Sequence, residues 1–201
     1  MDENWRKLYA SGEFNIRSVE ASKVVQQLTK LLPADGQVLD LGCGEGRNAL
    51  FLAGKGYNVD CVDLHDAHFL DNQPREIAGL INFTTGSIME YRFPADRYVG
   101  VVMARLIQYI SPEQLEPLLR NVANSLISHG KLALSYTASG GVLERVEMDV
   151  PKFAHKGDAV IATLTEVGFN ILSQEKVEYE STHVPYSLPN VTYDIIAEIK
   201  S

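Results

Sequence analysis

Short apolar runs alternate with segments whose apolar residues recur every three or four positions, and this alternation continues along almost the whole chain. It is typical of α/β proteins, in which helices connect the strands of a largely parallel sheet. The apolar runs predict seven strands, at 37–40, 57–63, 81–84, 98–104, 131–136, 169–180 and 191–199. The last two strands follow each other through one connection, 181–190, and therefore predict a hairpin.

Three segments with helical spacing predict helices, at 18–32, from Ser111 to His129-Gly130, and at 157–167. Ser111 is a favourable N-cap, and Pro112 suits the first helical turn because its missing N–H would have no partner there. A connection over 137–156 leads from the fifth strand to the last of these helices and is long enough to carry functional residues.

The first strand leads into a turn with a glycine at every second position, namely Gly42, Gly44 and Gly46. Glycines let the backbone approach a ligand where side chains would block it. A helix that starts at about Asn48 adds unpaired N–H groups at the same place. The strand, turn and helix together predict a site for a ligand that contains a nucleoside.

Charge and spacing distinguish between two such ligands. A dinucleotide-binding turn has the spacing G-x-G-x-x-G, but Arg47 stands where its third glycine would be. Asp40, directly before the turn, would repel a pyrophosphate and attract the ammonium and sulfonium groups of S-adenosylmethionine. Asp63, seventeen residues after Gly46, ends the second strand and is placed to accept hydrogen bonds from both ribose hydroxyls. The pattern favours S-adenosylmethionine, with a nicotinamide-dependent oxidoreductase as the less favoured alternative.

From about residue 35 to about residue 135 the chain resembles the class I S-adenosylmethionine-dependent methyltransferases. The resemblance implies a Rossmann-like α/β fold, with a doubly wound, seven-stranded, mostly parallel sheet and one antiparallel strand in a C-terminal hairpin. It also implies a single domain over 1–201, in which 1–35 form a helical lid and 36–201 form the sheet core. Residues 44–53 and 56–63 are similar to the tellurite-resistance branch of the family.

The motif and the resemblance together give a set of expected cofactor-binding residues: Arg17, Asp40, Gly42, Cys43, Gly44, Gly46, Asp63, Leu64, Ser87, Ile88, Ala104 and Arg105. In many relatives the N-terminal segment closes over the cofactor, and Arg17 is expected to hold its carboxylate there. Ser87 departs from the family pattern, in which an acidic residue accepts a hydrogen bond from the adenine amino group. This departure leaves open a protein that binds the cofactor without catalysing a reaction.

A small-molecule methyl acceptor is expected to contact some of Tyr9, Arg105, Tyr109, His155 and His183. Methyl transfer from a sulfonium is an in-line displacement that depends mainly on alignment, so no dedicated catalytic residue is assigned. A thiolate, a selenolate or a tellurium oxyanion would need no general base, whereas a hydroxyl or an amine would need one. The product would be S-adenosylhomocysteine.

The composition and charge of the chain limit the classes of molecule that it is expected to bind. The chain has 201 residues and a formal net charge of −8 without any basic run, so a nucleic-acid substrate is not expected. It contains no apolar stretch of the roughly 18 residues that a membrane span requires. The two cysteines, Cys43 and Cys61, are expected to be buried thiols, and no residue spacing indicates a metal site. We expect a cytoplasmic monomer or homodimer.

Overall fold

A computed structural model describes residues 20–140, 143, 150–179 and 190–200 of the chain. Within this part, the seven strands are β1 (Gln37–Leu41), β2 (Asn58–Asp63), β3 (Ile81–Thr85), β4 (Tyr98–Ala104), β5 (Leu126–Ser139), β6 (Phe169–Tyr179) and β7 (Asn190–Ile199). The α-helices are α1 (Lys23–Leu28), α2 (Arg47–Gly54), α3 (Arg75–Ala78), α4 (Pro112–Ser125) and α5 (Gly157–Val167). Short 3₁₀-helices cover His68–Leu70 and Ile107–Tyr109.

The strands form one sheet in the order β3-β2-β1-β4-β5-β7-β6. The pairings among β1 to β5 are parallel, whereas β7 is antiparallel to both β5 and β6. This topology confirms the predicted fold class, including the single antiparallel strand and the C-terminal hairpin. The strand order reverses between β1 and β4, and ligands of open α/β sheets bind beside the carboxyl ends of strands at such a point.

Alternate residues of each strand face opposite layers. One layer consists of α1 and α2, and the strand residues packed against it include Val38, Cys61, Val102, Ala133 and Ile196. We call this side of the sheet the α1–α2 face. The opposite side packs on α4 and α5 through residues such as Leu39, Met103, Leu134 and Ile195. Asp40, Asp63, Ala104, Ser135 and Asp194 fall on the α1–α2 face by this alternation.

The prediction that His129 and Gly130 close the helix after Ser111 is wrong. The helix ends at Ser125, and β5 begins at Leu126. Leu126 is buried and pairs with Tyr98, but regular pairing resumes only between Lys131 and Gly100. The intervening residues bulge out of the ladder, and His129 adopts a left-handed φ of 61°. Because the apolar Leu126 is buried beside Tyr98, β5 begins five residues before the predicted start at residue 131.

Other predicted ends are confirmed. The backbone N–H of Ser111 donates to Gln114 Oε1 at 3.4 Å across the first turn of α4, with Pro112 as its first residue. Gly168 terminates α5 with a φ of 111°, a left-handed value that suits glycine.

Of the helix predicted over 18–32, α1 covers Lys23–Leu28. Residues 1–19, which are the first part of the predicted lid over 1–35, and the connection between β6 and β7 lie outside the described residues.

Candidate functional site

The glycine turn between β1 and α2 requires glycine both for its backbone and for its packing. Gly42, Gly44 and Gly46 have φ values of 67°, 54° and 72°, in the left-handed region that other residues rarely adopt. A Cβ atom on Gly46 would lie 2.3 Å from the Phe69 ring, and one on Gly42 would lie 2.7 Å from Leu106 Cδ1. Larger residues at these two positions would therefore displace the side chains packed on the turn.

Asp63, at the end of β2, holds this turn in place. Its Oδ2 accepts the backbone N–H of Gly44 at 2.8 Å, and its Oδ1 accepts that of His65 at 2.9 Å. The side chain is buried, and burial raises its pKa, whereas the two backbone N–H groups lower it. A carboxylate has about four lone-pair positions, so each oxygen can accept one more hydrogen bond. Two neighbouring hydroxyl groups of a ligand would fit this arrangement.

Asp40 is the most unusual group at the turn. It is 1% exposed, and neither carboxylate oxygen has a hydrogen-bond partner within the described part of the chain. Burial above all, and then the nearby Asp63, raise the pKa of Asp40 to about 8, although Arg47 acts in the opposite direction. A buried carboxyl group without a partner is costly for a fold. A cationic ligand group would supply the missing partner.

Arg47 and Asn48, the first residues of α2, connect the turn to the start of α1. Arg47 Nη2 donates to Ser22 Oγ at 3.1 Å, and the backbone N–H of Ser22 donates to Asn48 Oδ1 at 2.9 Å. Burial and then the positive charge of Arg105 lower the pKa of Arg47. Arg47 therefore acts on the architecture of the turn and adds positive charge near Asp40.

Arg105 follows β4 directly and has a left-handed φ of 59°. Its backbone N–H donates to the Ser135 carbonyl at 2.7 Å, and its carbonyl accepts Gln108 Nε2 at 2.8 Å. Its guanidinium group reaches β5, where Nη1 donates to Thr137 Oγ1 at 2.9 Å. Three hydrogen bonds thus hold a backbone conformation that is uncommon outside glycine. The neighbouring Ala104, at the end of β4, lies on the α1–α2 face, like Asp40.

Leu64 directly follows β2, and Ser87 and Ile88 come shortly after β3. The backbone N–H of Gly86 donates to the Asp63 carbonyl at 2.8 Å, which brings the segment after β3 beside the segment after β2. Ile88 is buried, whereas Leu64 and Ser87 are half-buried. These three residues could flank a ring held next to Asp63.

Two of the expected substrate residues are buried in the described structure. His155 Nε2 lies 2.9 Å from the carbonyl oxygens of both Ile107 and Ile110. Because both neighbours only accept, Nε2 must carry the hydrogen. The His155 ring also contacts the ring of Tyr136, at 6.5 Å between centroids. Tyr109 is 7% exposed. The His155 side chain thus fastens the segment after β4, and Tyr109 is a buried residue of that segment.

Three further predicted residues, Tyr9, Arg17 and His183, lie outside the described residues. Both cysteines are free and buried, as predicted. No group of three or more histidine, cysteine, aspartate or glutamate side chains in the described ranges is arranged to hold a metal ion. None of the helices that the structure describes is long and apolar enough to cross a membrane.

Sequence reasoning missed Asp194 and Ser135. They are register partners on β7 and β5, on the face that also carries Asp40. Ser135 is 2% exposed, and burial raises the pKa of Asp194. One signal was available, since Asp194 interrupts the apolar end of the last strand at an inward-facing position. Its meaning depends on the neighbour across the sheet, which the sequence alone does not give.

Residues 38–130 match a family model described as a methyltransferase domain. A comparison with curated proteins found no match. Among solved structures, a 1,6-didemethyltoxoflavin-N1-methyltransferase from Burkholderia thailandensis, with bound 1,6-didemethyltoxoflavin and S-adenosylhomocysteine, is similar with a TM-score of 0.77. It is 16% identical, and the match covers 100% of this chain and 87% of that one.

Two further solved structures have the same fold. An S-adenosylmethionine-dependent methyltransferase from Methanosarcina mazei has a TM-score of 0.67 at 19% identity, over 90% of this chain and 99% of that one. A TehB-like S-adenosylmethionine-dependent methyltransferase from Corynebacterium glutamicum has a TM-score of 0.63 at 18% identity, over 99% and 95%. At these identities the likenesses show the fold.

Proposed function

We propose that this chain, whose residues 38–130 match the model of a methyltransferase domain and whose fold is that of the class I methyltransferases, transfers a methyl group from S-adenosylmethionine to a small-molecule acceptor. The observation that carries the proposed binding mode is the pair of carboxylates at the glycine turn. Asp40 is buried without a partner, and each oxygen of Asp63 can accept another hydrogen bond. A ligand with a cationic amino-acid end and a ribose would satisfy both.

Each part of the cofactor then has a proposed partner. Asp63 accepts from the two ribose hydroxyls, and Asp40 binds the ammonium group. Leu64 and Ile88 flank the adenine, and the Ser87 hydroxyl accepts a hydrogen bond from its amino group. The backbone of Gly42, Cys43, Gly44 and Gly46 lies beneath the ligand, while Ala104 and Arg105 border its methionine end. When bound, the cofactor supplies a methyl group on a sulfonium centre, ready for in-line displacement.

The N-terminal part of the site remains a proposal based on the sequence. We propose that the chain is a single domain over 1–201, that the part of the predicted 1–35 lid that precedes α1 closes over the cofactor, that Arg17 holds the cofactor carboxylate, and that Tyr9 and His183 contact the acceptor. Such closure would exclude water and align the reactants. The rest of the predicted lid includes α1, which packs on the sheet through buried residues. Within the described residues, Arg47 and Arg105 supply positive charge at the methionine end and support binding of that carboxylate.

The acceptor class is the finer part of the proposal. The similarity to the tellurite-resistance branch makes a thiol, or a tellurium or selenium oxyanion, one candidate acceptor, whereas Ser135 and Asp194 on β5 and β7 favour a neutral N–H or O–H compound. A small molecule rather than a nucleic acid fits the net charge of −8. Of the expected substrate residues, Tyr109 and His155 are buried and would act by shaping the site. We further propose a cytoplasmic monomer or homodimer.

The test has two stages. Calorimetric titration of the purified chain with S-adenosylmethionine and S-adenosylhomocysteine, with NAD as control, measures cofactor binding. Release of S-adenosylhomocysteine is then measured with thiols, selenite, tellurite, amines and phenols. We expect micromolar binding of both adenosyl compounds, no binding of NAD, and turnover with at least one acceptor. Folded protein that binds neither adenosyl compound, or binds them without turning over any acceptor, would contradict the proposal.

A further inference from the structure

Polar positions continue along the α1–α2 face beyond the proposed cofactor. Asp40 of β1 pairs with Val102 of β4. Ala104 lies two residues further along β4, nearer the carboxyl ends of the parallel strands. Ala104 pairs with Ser135 of β5, which pairs with Asp194 of β7. Because neighbouring strands are about 4.8 Å apart, Ser135 and Asp194 lie about 5 and 10 Å beyond the end of β4. This part of the face is within reach of a molecule placed next to the cofactor's methionine end.

Four side chains form a compact group there: Ser135, Thr137, Thr192 and Asp194, which we call the β5–β7 polar cluster. Thr137 pairs with Thr192 in the register in which Ser135 pairs with Asp194, so all four share one face. Cross-strand partners and their diagonal neighbours lie within about 8 Å. The three hydroxyl residues are 2%, 4% and 4% exposed, in the order Ser135, Thr137, Thr192.

A stable sheet does not require polar residues at these buried positions. The next residues toward the core on the same face, Ala133 and Ile196, are apolar and fully or almost fully buried. In contrast, the Ser135 hydroxyl is buried and has no hydrogen-bond partner among the residues that the structure describes. Leaving a buried hydroxyl unpaired destabilises the folded protein, because the group has lost its hydrogen bonds to water. A ligand group that forms a hydrogen bond with Ser135 would remove this cost.

The charges around the cluster are mixed. Arg105 donates to Thr137 at 2.9 Å. Burial raises the pKa of Asp194, with Glu175 of β6 acting in the same direction, while Arg105 and then Lys23 of α1 oppose it. The Asp194 carboxylate consequently holds a proton more readily than an exposed aspartate does.

We propose that the β5–β7 polar cluster, together with Arg105, is the methyl-acceptor site, and that it takes a neutral small molecule whose reacting group is an N–H or an O–H. This inference rests on the proposed function. Ser135 forms a hydrogen bond with the acceptor, and Asp194 faces the reacting group. An oxyanion or a thiolate at this position would instead be repelled by ionised Asp194.

The chemical step balances with Asp194 as the general base. A lone pair on the acceptor nitrogen or oxygen forms the new bond to the methyl carbon. The bond from that carbon to sulfur breaks, and its electron pair stays on sulfur as a neutral thioether. The proton of the N–H or O–H group passes to the Asp194 carboxylate, which later releases it to water.

The experiment compares the full chain with three variants. Asp194→Asn removes the base at nearly constant volume, and Ser135→Ala removes the buried hydroxyl. Glu166→Gln neutralises an exposed carboxylate on α5 and serves as the matched control. For each protein, kcat and KM are measured with the amines, phenols and other hydroxyl compounds that the wild type accepts. The dissociation constant of S-adenosylmethionine is measured by calorimetry.

General base catalysis contributes about 10²–10⁴-fold, so we expect Asp194→Asn to lower kcat/KM by about 100-fold or more. Cofactor affinity should be unchanged. The wild-type kcat/KM should rise with pH as Asp194 ionises, and this limb should be absent in Asp194→Asn. Ser135→Ala should mainly raise KM for the acceptor. The Glu166→Gln control should match the wild type in all of these measurements.

Different failures point to different conclusions. If the wild type binds cofactor and methylates only thiols or oxyanions, the acceptor proposal is overturned while the methyltransferase proposal stands. The same holds if Asp194→Asn and Ser135→Ala both match the wild type with every acceptor. If Asp194→Asn does not fold, the KM of Ser135→Ala decides between the two outcomes. Absence of cofactor binding in the folded wild type would overturn both proposals.

Discussion

Binding of the cofactor should be coupled to loss of a proton from Asp40. Burial above all raises the pKa of this carboxyl group to about 8. An ammonium group placed against the carboxylate would stabilise the ionised form and lower this pKa. At pH 7, a group with a pKa of about 8 is ionised in only about one tenth of the molecules. Cofactor binding should therefore release about 0.9 protons at this pH.

The affinity should follow from the same numbers. Below pH 8, each unit of pH changes the ionised fraction about tenfold, which corresponds to about 1.4 kcal/mol of binding free energy. The dissociation constant of S-adenosylmethionine should thus fall about tenfold from pH 6 to pH 7 and level off above pH 8. S-adenosylhomocysteine carries the same ammonium group and should behave likewise.

The contribution of Asp40 to the stability of the ligand-free protein should fall as the pH rises, whereas the affinity for the cofactor should rise. Because the folded-state pKa of Asp40 is above its unfolded value of 3.8, the folded state binds the proton more tightly. The contribution of this proton to stability is fully present below pH 4 and is lost as the pH rises toward 8. Asp40→Asn should flatten this dependence, which urea denaturation at several pH values would measure.

Calorimetry in two buffers with different ionisation enthalpies measures the number of protons released. Asp40→Asn should lose both the proton release and most of the affinity. Asp96→Asn, which neutralises an exposed carboxylate before β4, should keep both. Normal affinity with equal binding enthalpies in the two buffers at pH 7 would refute the role assigned to Asp40.

Three further outcomes are expected. Asp63→Ala should weaken cofactor binding by about 1–3 kcal/mol in calorimetry, because a charge-assisted contact is lost, and unchanged affinity would remove Asp63 from the site. Gly46→Ala should destabilise the protein by about 1–3 kcal/mol in urea denaturation, because its Cβ would lie 2.3 Å from a ring at a φ of 72°. Gly54→Ala, where a Cβ meets nothing within 4 Å, should stabilise it by about 0.5–1 kcal/mol, and equal effects would contradict the packing argument. Tyr98→Phe should cost about 1–3 kcal/mol, since the buried Asp60 carboxylate loses its 2.8 Å hydrogen bond, and an unchanged midpoint would count against that bond.

Local signals were sufficient for much of the fold. Alternating apolar runs gave all seven strands, and Gly168 marked the end of α5 because a left-handed residue after a helix is usually glycine. The spacing of Gly42, Gly44 and Gly46 indicated a turn whose backbone can approach a ligand closely, and in the structure all three adopt left-handed φ values, which favour glycine. These features depend on a few neighbouring residues, which the sequence displays directly.

Features that depend on distant contacts could not be predicted. His155 was a candidate substrate residue because of its place in a late connection, but its ring lies against two carbonyl groups more than forty residues away. The early start of β5 at Leu126 depends on Tyr98 of another strand. Asp194 acquires its significance from Ser135, 59 residues earlier in the chain. Only the folded sheet brings such residues together.

The first turn of α1 connects the two halves of the face. Ser22, directly before it, forms hydrogen bonds with Arg47 and Asn48 at the glycine turn. The positive charge of Lys23 acts to lower the pKa of Asp194 in the β5–β7 polar cluster. The start of one short helix thus interacts with residues of both proposed ligand sites. We expect their binding free energies to be coupled, and by thermodynamic reciprocity each ligand should change the affinity of the other by the same factor. Cofactor and acceptor would then enter this protein as interdependent ligands.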